Sequence, residues 1–421
     1  MKIAFLLNEI TIGGGPKFAL DLGQFFAGHG HQVVVAASRR GPWHDLAQRL
    51  GLEAWHAPDH RLATTAGRTR AMVEYLVQSG VEMAFLNAGD DNRASHLACR
   101  LLPDRIGVAM LFHGGWPRLY ELAHQDGASW NIAVGVGPDS YSGALAALPG
   151  RPVLGITNGI PLPSPADLGG RRDWQTPLRL LFVGRLLDTH KGILRLPEIL
   201  LACRQRGLPV QLTVVGDGKD RGRLVQAITA AGLAEDAIRL VGTCPPEAVA
   251  EIARDHHLFL FPTNTEGMPL ALLEAAANGC VPIVTCLPGV TDVAVEDGVS
   301  GRLVAPGDIG GFADQIAQMM APDIWRRHSQ AGIARCSDKF SLAVMGQQYL
   351  ALADAVMAGR FPTDRSAWRR GPPPFTWADR LPLPSFDPHD LPPSLFHCAY
   401  AVRRGLRRVL PTAWVGKTRY F

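Results

Sequence analysis

The chain has 421 residues, 47% of them apolar and 19% charged, a balance that suits a globular protein of two domains with an appendix. Its net charge of +4 is uneven: residues 361–421 hold ten Lys/Arg and four Asp/Glu, so the tail is 10 − 4 = +6 and the remainder 4 − 6 = −2, which argues against nucleic acid as the partner of the body. No apolar run approaches the ~18–20 residues of a membrane span, and seven scattered cysteines without a C-x-x-C pair speak for reduced thiols in a cytosol and against a disulfide framework or structural zinc.

Short apolar runs alternate with helical patterns from the start. MKIAFLLNEI reads as a first strand rather than a signal peptide. A Gly turn, the helical stretch PKFALDLGQFFAGHG and the run HQVVVAA follow. Further strands are expected at 82–88, 106–113 and 130–137. Continuous apolar strands separated by helices predict a parallel sheet covered on both faces. The stretch 162–177 is rich in Pro, Gly and charge and reads as an interdomain linker. The alternation then restarts, with strands expected at 179–184, 211–216, 238–242, 258–262 and 281–285. The expected fold class is α/β, with two Rossmann-like domains (1–165 and 177–345) facing each other across a cleft. Residues 346–360 form a closing helix that returns to the first domain. From 361 to 421 crowded prolines are expected to prevent a compact helix or sheet.

Four stretches carry candidate chemistry. In PTNTEGMPLALLEAAANG (262–279) Pro269 suits a helix start and Gly279 a helix end. Glu274 lies within this apolar helix and Glu266 just before it, and a buried carboxylate needs partners. Either an Arg or backbone N–H groups supply them, or the vicinal hydroxyls of a ribose do, since a carboxylate offers two acceptor oxygens. Glu266, with the N–H groups of the Gly267-Met268-Pro269 turn leading into Leu270, could hold a second polyol. In RLLFVGRLLDTHKG (179–192) a strand ends at Gly184, and Arg185 and Lys191 follow in one loop. Two cations there suit a diphosphate, or else a solvated surface. No D-x-D occurs, so the carboxylate clamp for a metal–diphosphate is missing and no metal is expected. In VVGDG (214–218), Gly216 and Gly218 allow close backbone approach or a simple turn. Gly13, Gly14 and Gly15 follow strand one but fit neither G-x-G-x-x-G nor G-x-x-x-x-G-K-[ST], leaving a tight turn or a cleft wall.

In this order, and with EDGVSGRLVAPGD (296–308), these motifs resemble family 4 of the retaining glycosyltransferases, which have the GT-B architecture. The resemblance covers roughly residues 1–355 and is strongest over 179–308. It implies a nucleotide-diphosphate sugar as donor and a glycan or lipid-linked acceptor, with no cofactor. Arg185 and Lys191 would bind the donor diphosphate, Glu274 the ribose, and Glu266 with Gly267, Met268 and Pro269 the donor sugar. Gly216 and Gly218 would lie near the nucleotide, and Gly13 to Gly15 would wall the diphosphate or acceptor. His113, ending the strand IGVAMLFH, would face the transferred sugar, although Gly114 stands where the family usually has an acidic residue. Asp292 stands where the family often has Glu. Asn158 matches a loop near the hinge. The alternatives are a nucleotide-sugar epimerase of the same architecture and a non-catalytic nucleotide-sugar-binding scaffold. Finally, 394–410 can be drawn as a basic amphipathic helix with Arg403, Arg404, Arg407 and Arg408 on one side, docked on the body, left as a solvated tail, or lying on an anionic membrane surface.

Overall fold

The structure is a computed structural model and describes residues 1–58, 63–89, 92–170, 173–234, 236–371, 375 and 378–380. The stretch 394–410 and most of the Pro-rich tail lie outside them.

Two parallel sheets form the frame. The first contains β1 (Lys2–Glu9), β2 (Gln32–Arg39), β3 (Glu53–His56), β4 (Met83–Asn87), β5 (Gly107–Phe112), β6 (Ile132–Gly135) and β7 (Val153–Gly155), in the order β3-β2-β1-β4-β5-β6-β7. The second contains β8 (Leu178–Val183), β9 (Val210–Val215), β10 (Ile238–Gly242), β11 (Leu258–Phe261), β12 (Val281–Thr285) and β13 (Arg302–Val304), in the order β10-β9-β8-β11-β12-β13. Alternation along β1 shows why these runs are strands. Ile3, Phe5 and Leu7 join one core cluster while Ala4 and Leu6 join the other, so both faces are buried. The short strands β3, β7 and β13 were not expected from the sequence. Each is an edge strand of three or four residues, too short and too partly exposed to give an apolar run.

In both sheets the strand order reverses at the first strand, between β1 and β4 and between β8 and β11. Ligands of doubly wound sheets bind beyond the carboxyl ends of strands at that reversal. The helix α1 (Gly14–Gly28) starts at this edge of the first sheet, and α2 (Pro117–Gln125) follows β5 there. The helix α3 (Leu270–Ala277) follows β11. A long helix, α4 (Leu342–Met357), lies against α1 and β5, with Tyr349 fully buried edge-on to Phe18 and Phe85.

One expectation is corrected. Residues from 361 onward were expected to form no compact helix, yet α5 (Ser366–Arg370) forms a short one. The stretch Ser366–Arg370 holds no proline, and the proline run begins only at residue 372. Arg365 anchors it. Its guanidinium is fully buried and donates to the carbonyls of Ser129, Pro103 and Ile106 and to Asn131 Oδ1. Such a cation is tolerated only because its donors are met.

Candidate active site

The carboxyl edges of the two sheets enclose a cleft of about 600 Å³. It is lined by Gly13, Gly14 and Gly15, His113, Asn158, Gly184, Arg185, Lys191, Gly216, Glu266, Gly267, Met268, Pro269, Leu270 and Glu274. Gly218 is not in the lining. It packs under the loop that carries Arg185, where a Cβ would meet the Leu186 carbonyl about 2.5 Å away. Asp292 is not in the lining either, and its carboxylate accepts from Val290 N within its own turn at 3.1 Å.

From the second sheet, β8 ends at Val183 and delivers Arg185 to the cleft exposed, with no ion-pair partner among the described residues. Gly216 has φ +134 and no room for a side chain, because a Cβ would collide with the Gly184 carbonyl. Lys191 Nζ donates to Glu266 Oε1 at 2.6 Å and lies 4.9 Å from the centroid of the Phe261 ring. Thr263 Oγ1 donates to the same Glu266 oxygen at 2.7 Å. The side chain of Glu266 is 8% exposed and is paired with Lys191, so removing the lysine would leave a nearly buried carboxylate without its cation.

Glu274 is not buried on every side, as the apolar sequence around it suggested. Its neighbours Leu272, Leu273, Ala275, Ala276 and Ala277 face the core, while its own carboxylate opens on the cleft at 23% exposure. The helix α3 is therefore buried except along the line that borders the cavity. The partner of Glu274 is a residue that the sequence reading missed. Lys17, on α1, lies 3.0 Å from Glu274 Oε1 and donates to both oxygens of Asp21 at 2.9 and 2.7 Å. Burial works against the charge of Lys17, yet the carboxylates of Glu274 and Asp21 outweigh it and lift the ammonium well above its ordinary value. Burial also pushes Asp21 up to about 6, against the pull of Lys17. The signal in the sequence was a Lys and an Asp four apart inside the apolar helix PKFALDLGQFF.

This gives a pH prediction. A carboxyl held near 6 in the fold, against an ordinary value of 3.8, contributes stability that is present below 3.8 and lost as pH rises through about 6. Asp21→Asn removes that dependence. Its stability relative to wild type is expected to rise between pH 4 and pH 7, read by chemical denaturation at both. A parallel pair of curves would contradict the assignment.

The first sheet contributes His113, at the end of β5. Its Nε2–H donates to Asn87 Oδ1 at 2.5 Å, which leaves Nδ1 as the acceptor nitrogen. Burial pushes its pKa down to about 4, so the ring is neutral near pH 7. The His113 carbonyl abuts Gly267 so closely that a Cβ there would collide with it. Asn158 Nδ2 approaches the Met268 carbonyl at 3.4 Å. The Gly267–Pro269 turn and the end of β5 thus meet directly. Trp43, Trp116, Thr243, Cys244, Pro246 and Val249 also line the cleft without having been singled out in the sequence. Among the described residues no group of three or more His, Cys, Asp or Glu is arranged to hold a metal ion, and no helix is long and apolar enough to cross a membrane.

The arrangement can hold an anion between Arg185, Lys191 and the start of α1, and a diol at Glu274. Residues 177–321 match the family model Glycosyl transferases group 1. The amylovoran biosynthesis glycosyltransferase AmsK of Erwinia amylovora is 35% identical over 143 residues, which is 32% of this chain and 34% of that protein. The putative colanic acid biosynthesis glycosyltransferase WcaL of Salmonella typhimurium is 33% identical over 156 residues, 35% of this chain and 37% of that protein. The chain thus spans about a third of the length of these relatives. The crystal structure of Anabaena Alr3699/HepE in complex with UDP-glucose superposes with a TM-score of 0.69 over 84% of this chain and 100% of that one, at 19% identity. The chain therefore has the GT-B fold, and the half built on its second sheet carries the match to the group 1 glycosyl transferases.

Proposed function

We propose that this chain is a glycosyltransferase of the family 4 type, which moves a sugar from a nucleotide-diphosphate sugar to a glycan or lipid-linked acceptor with retention of configuration, in polysaccharide or glycolipid biosynthesis. The observation that carries the proposal is the convergence of Arg185, Lys191, Glu266 and Glu274 on one cleft, at the carboxyl edge of both sheets. The relatives named for amylovoran and colanic acid biosynthesis support the pathway class.

In this reading Glu274 accepts from the ribose hydroxyls, and Arg185 with Lys191 binds the diphosphate. As the bond between sugar and phosphate breaks, negative charge grows on the diphosphate, and fixed cations stabilise that charge more than they stabilise the ground state. The acceptor attacks from the face that the diphosphate leaves, and the departing phosphate takes its proton, so no protein nucleophile or metal is needed. Glu266 and the Gly267–Pro269 turn hold the sugar hydroxyls. Neutral His113 offers an uncharged polar contact to the sugar. Closure of the two domains excludes water and limits hydrolysis.

The test is release of nucleoside diphosphate from UDP-, GDP- and ADP-sugars in the presence of a chelator, followed by ³¹P NMR with and without bacterial glycan or polyprenyl-diphosphate-sugar fractions. Acceptor-dependent release supports the transferase. Conversion of the sugar without any acceptor identifies the epimerase, and no turnover of any donor that binds identifies the scaffold.

The proposal extends to the basic stretch 394–410, taken as a peripheral contact with an anionic membrane surface at the inner face of the membrane. Co-sedimentation with phosphatidylglycerol vesicles, but not with phosphatidylcholine ones, is expected. Equal binding by a chain lacking 381–421 would refute it.

A further inference from the structure

The first-sheet side of the cleft carries an aromatic ring that the fold does not use. Trp116 is 42% exposed and lines the cleft together with Ile12, itself 41% exposed. A Trp that belonged to the core would be covered. One left half open at a cleft mouth marks a surface for binding. Two features fix the ring without covering it. Trp116 is the residue before α2, and Pro117 at the first helical position pre-sets the backbone that follows. Its six-membered ring also lies against Gly114, where a Cβ would come within 2.9 Å of it. The glycine that replaces the family's acidic residue thus leaves room for the ring. No described residue accepts from the indole N–H.

Polar groups share this cleft with the apolar ones, and the mixture decides what the ring would receive. His113 stands three residues before it, and its carbonyl touches Gly267, next to Glu266. Asn158 lines the same cleft with its Oδ1 buried and unpaired. A lipid chain lying there would leave these groups unmet. A pyranose has an apolar C–H face and a polar rim, and satisfies both demands.

We propose that Trp116 is the platform of an acceptor-sugar subsite. The C–H face of a hexopyranoside stacks on the indole, the indole N–H donates to a ring substituent, and an acceptor hydroxyl points towards the donor sugar at Glu266. The proposal rests on the donor reading above and names the acceptor class for the same cleft.

The test uses the full chain labelled with 5-fluorotryptophan, saturated with the nucleoside diphosphate that binds it. The probes are methyl α- and β-glycosides of common hexoses and hexosamines. The ¹⁹F resonance of Trp116 is identified by its loss in Trp116→Phe, and the fully buried Trp130 and Trp325 serve as references. A subset of glycosides is expected to move the Trp116 resonance saturably and leave the references still. Binding should weaken about tenfold or more in Trp116→Ala and be largely kept in Trp116→Phe, because the contact is stacking. Glycosides that bind Trp116→Ala as well as wild type, or a panel that never moves the resonance, would overturn the subsite. If no nucleoside diphosphate binds at all, the donor reading has failed and the subsite falls with it.

Discussion

Lys191→Met is expected to lower the rate of sugar transfer by about 10²–10³-fold, the usual effect of losing one preorganised donor aimed at developing charge. Lys191 has two tasks, and they can be separated. It pairs with Glu266, whose carboxylate is nearly buried and, among the described residues, is otherwise held by Thr263. Its removal leaves that acceptor partly unmet, at a cost of roughly 1–3 kcal/mol of stability. In the proposed reaction it also stabilises the leaving diphosphate. The double variant Lys191→Met/Glu266→Gln removes the unmet charge, so stability should recover while the rate stays low. If rate and stability recover together, Lys191 is structural and the diphosphate is held by Arg185 alone.

Glu274→Gln is expected to weaken nucleoside diphosphate binding by about ten- to a hundredfold, since a hydrogen bond to a charged acceptor contributes roughly 1.5–3 kcal/mol. Stability should change little, because Lys17 keeps both oxygens of Asp21. The two readings of this carboxylate therefore separate. If Glu274 exists only to neutralise Lys17, the variant loses stability and keeps its affinity. A 2′,3′-dideoxynucleoside diphosphate completes the cycle: it should bind wild type weakly and suffer little further loss in Glu274→Gln. A full additional loss would show that Glu274 does not touch the ribose. Lys17→Met is the complementary variant. It leaves Asp21 and Glu274 without their common cation and is expected to be the less stable of the two.

Much of this was legible in the sequence, for identifiable reasons. Both sheets announced themselves because a strand buried on two faces must be continuously apolar, as in KIAFLLN and LFLFP. Arg185, Lys191, Glu266 and Glu274 stood out because charge beside such strands is costly unless used. The edge strands β3, β7 and β13 were illegible, since partial exposure breaks the apolar run, whereas the fourth edge strand, β10, was expected at 238–242 and forms there. Lys17 and Asp21 left a local trace, four apart in one apolar helix, but the pairing of Lys17 with the cleft did not. The lysine's partner Glu274 lies 257 positions away, and no local pattern reports a contact made only when two domains meet. Trp116 was passed over because a Trp in a loop carries no periodicity, and only its exposure in the fold marks it. The helix at Ser366–Arg370 was hidden by the prolines that follow, while the buried Arg365 that anchors it resembles any other basic residue of the tail.

The central claim is that this cleft binds a nucleoside diphosphate through Arg185, Lys191 and Glu274. Isothermal calorimetry with UDP, GDP and ADP, in a chelating buffer, tests it most directly. One of the three is expected to bind, and to lose at least tenfold in affinity in Arg185→Ala and in Glu274→Gln. Failure of all three to bind the folded chain, or equal binding by both variants, would contradict the claim.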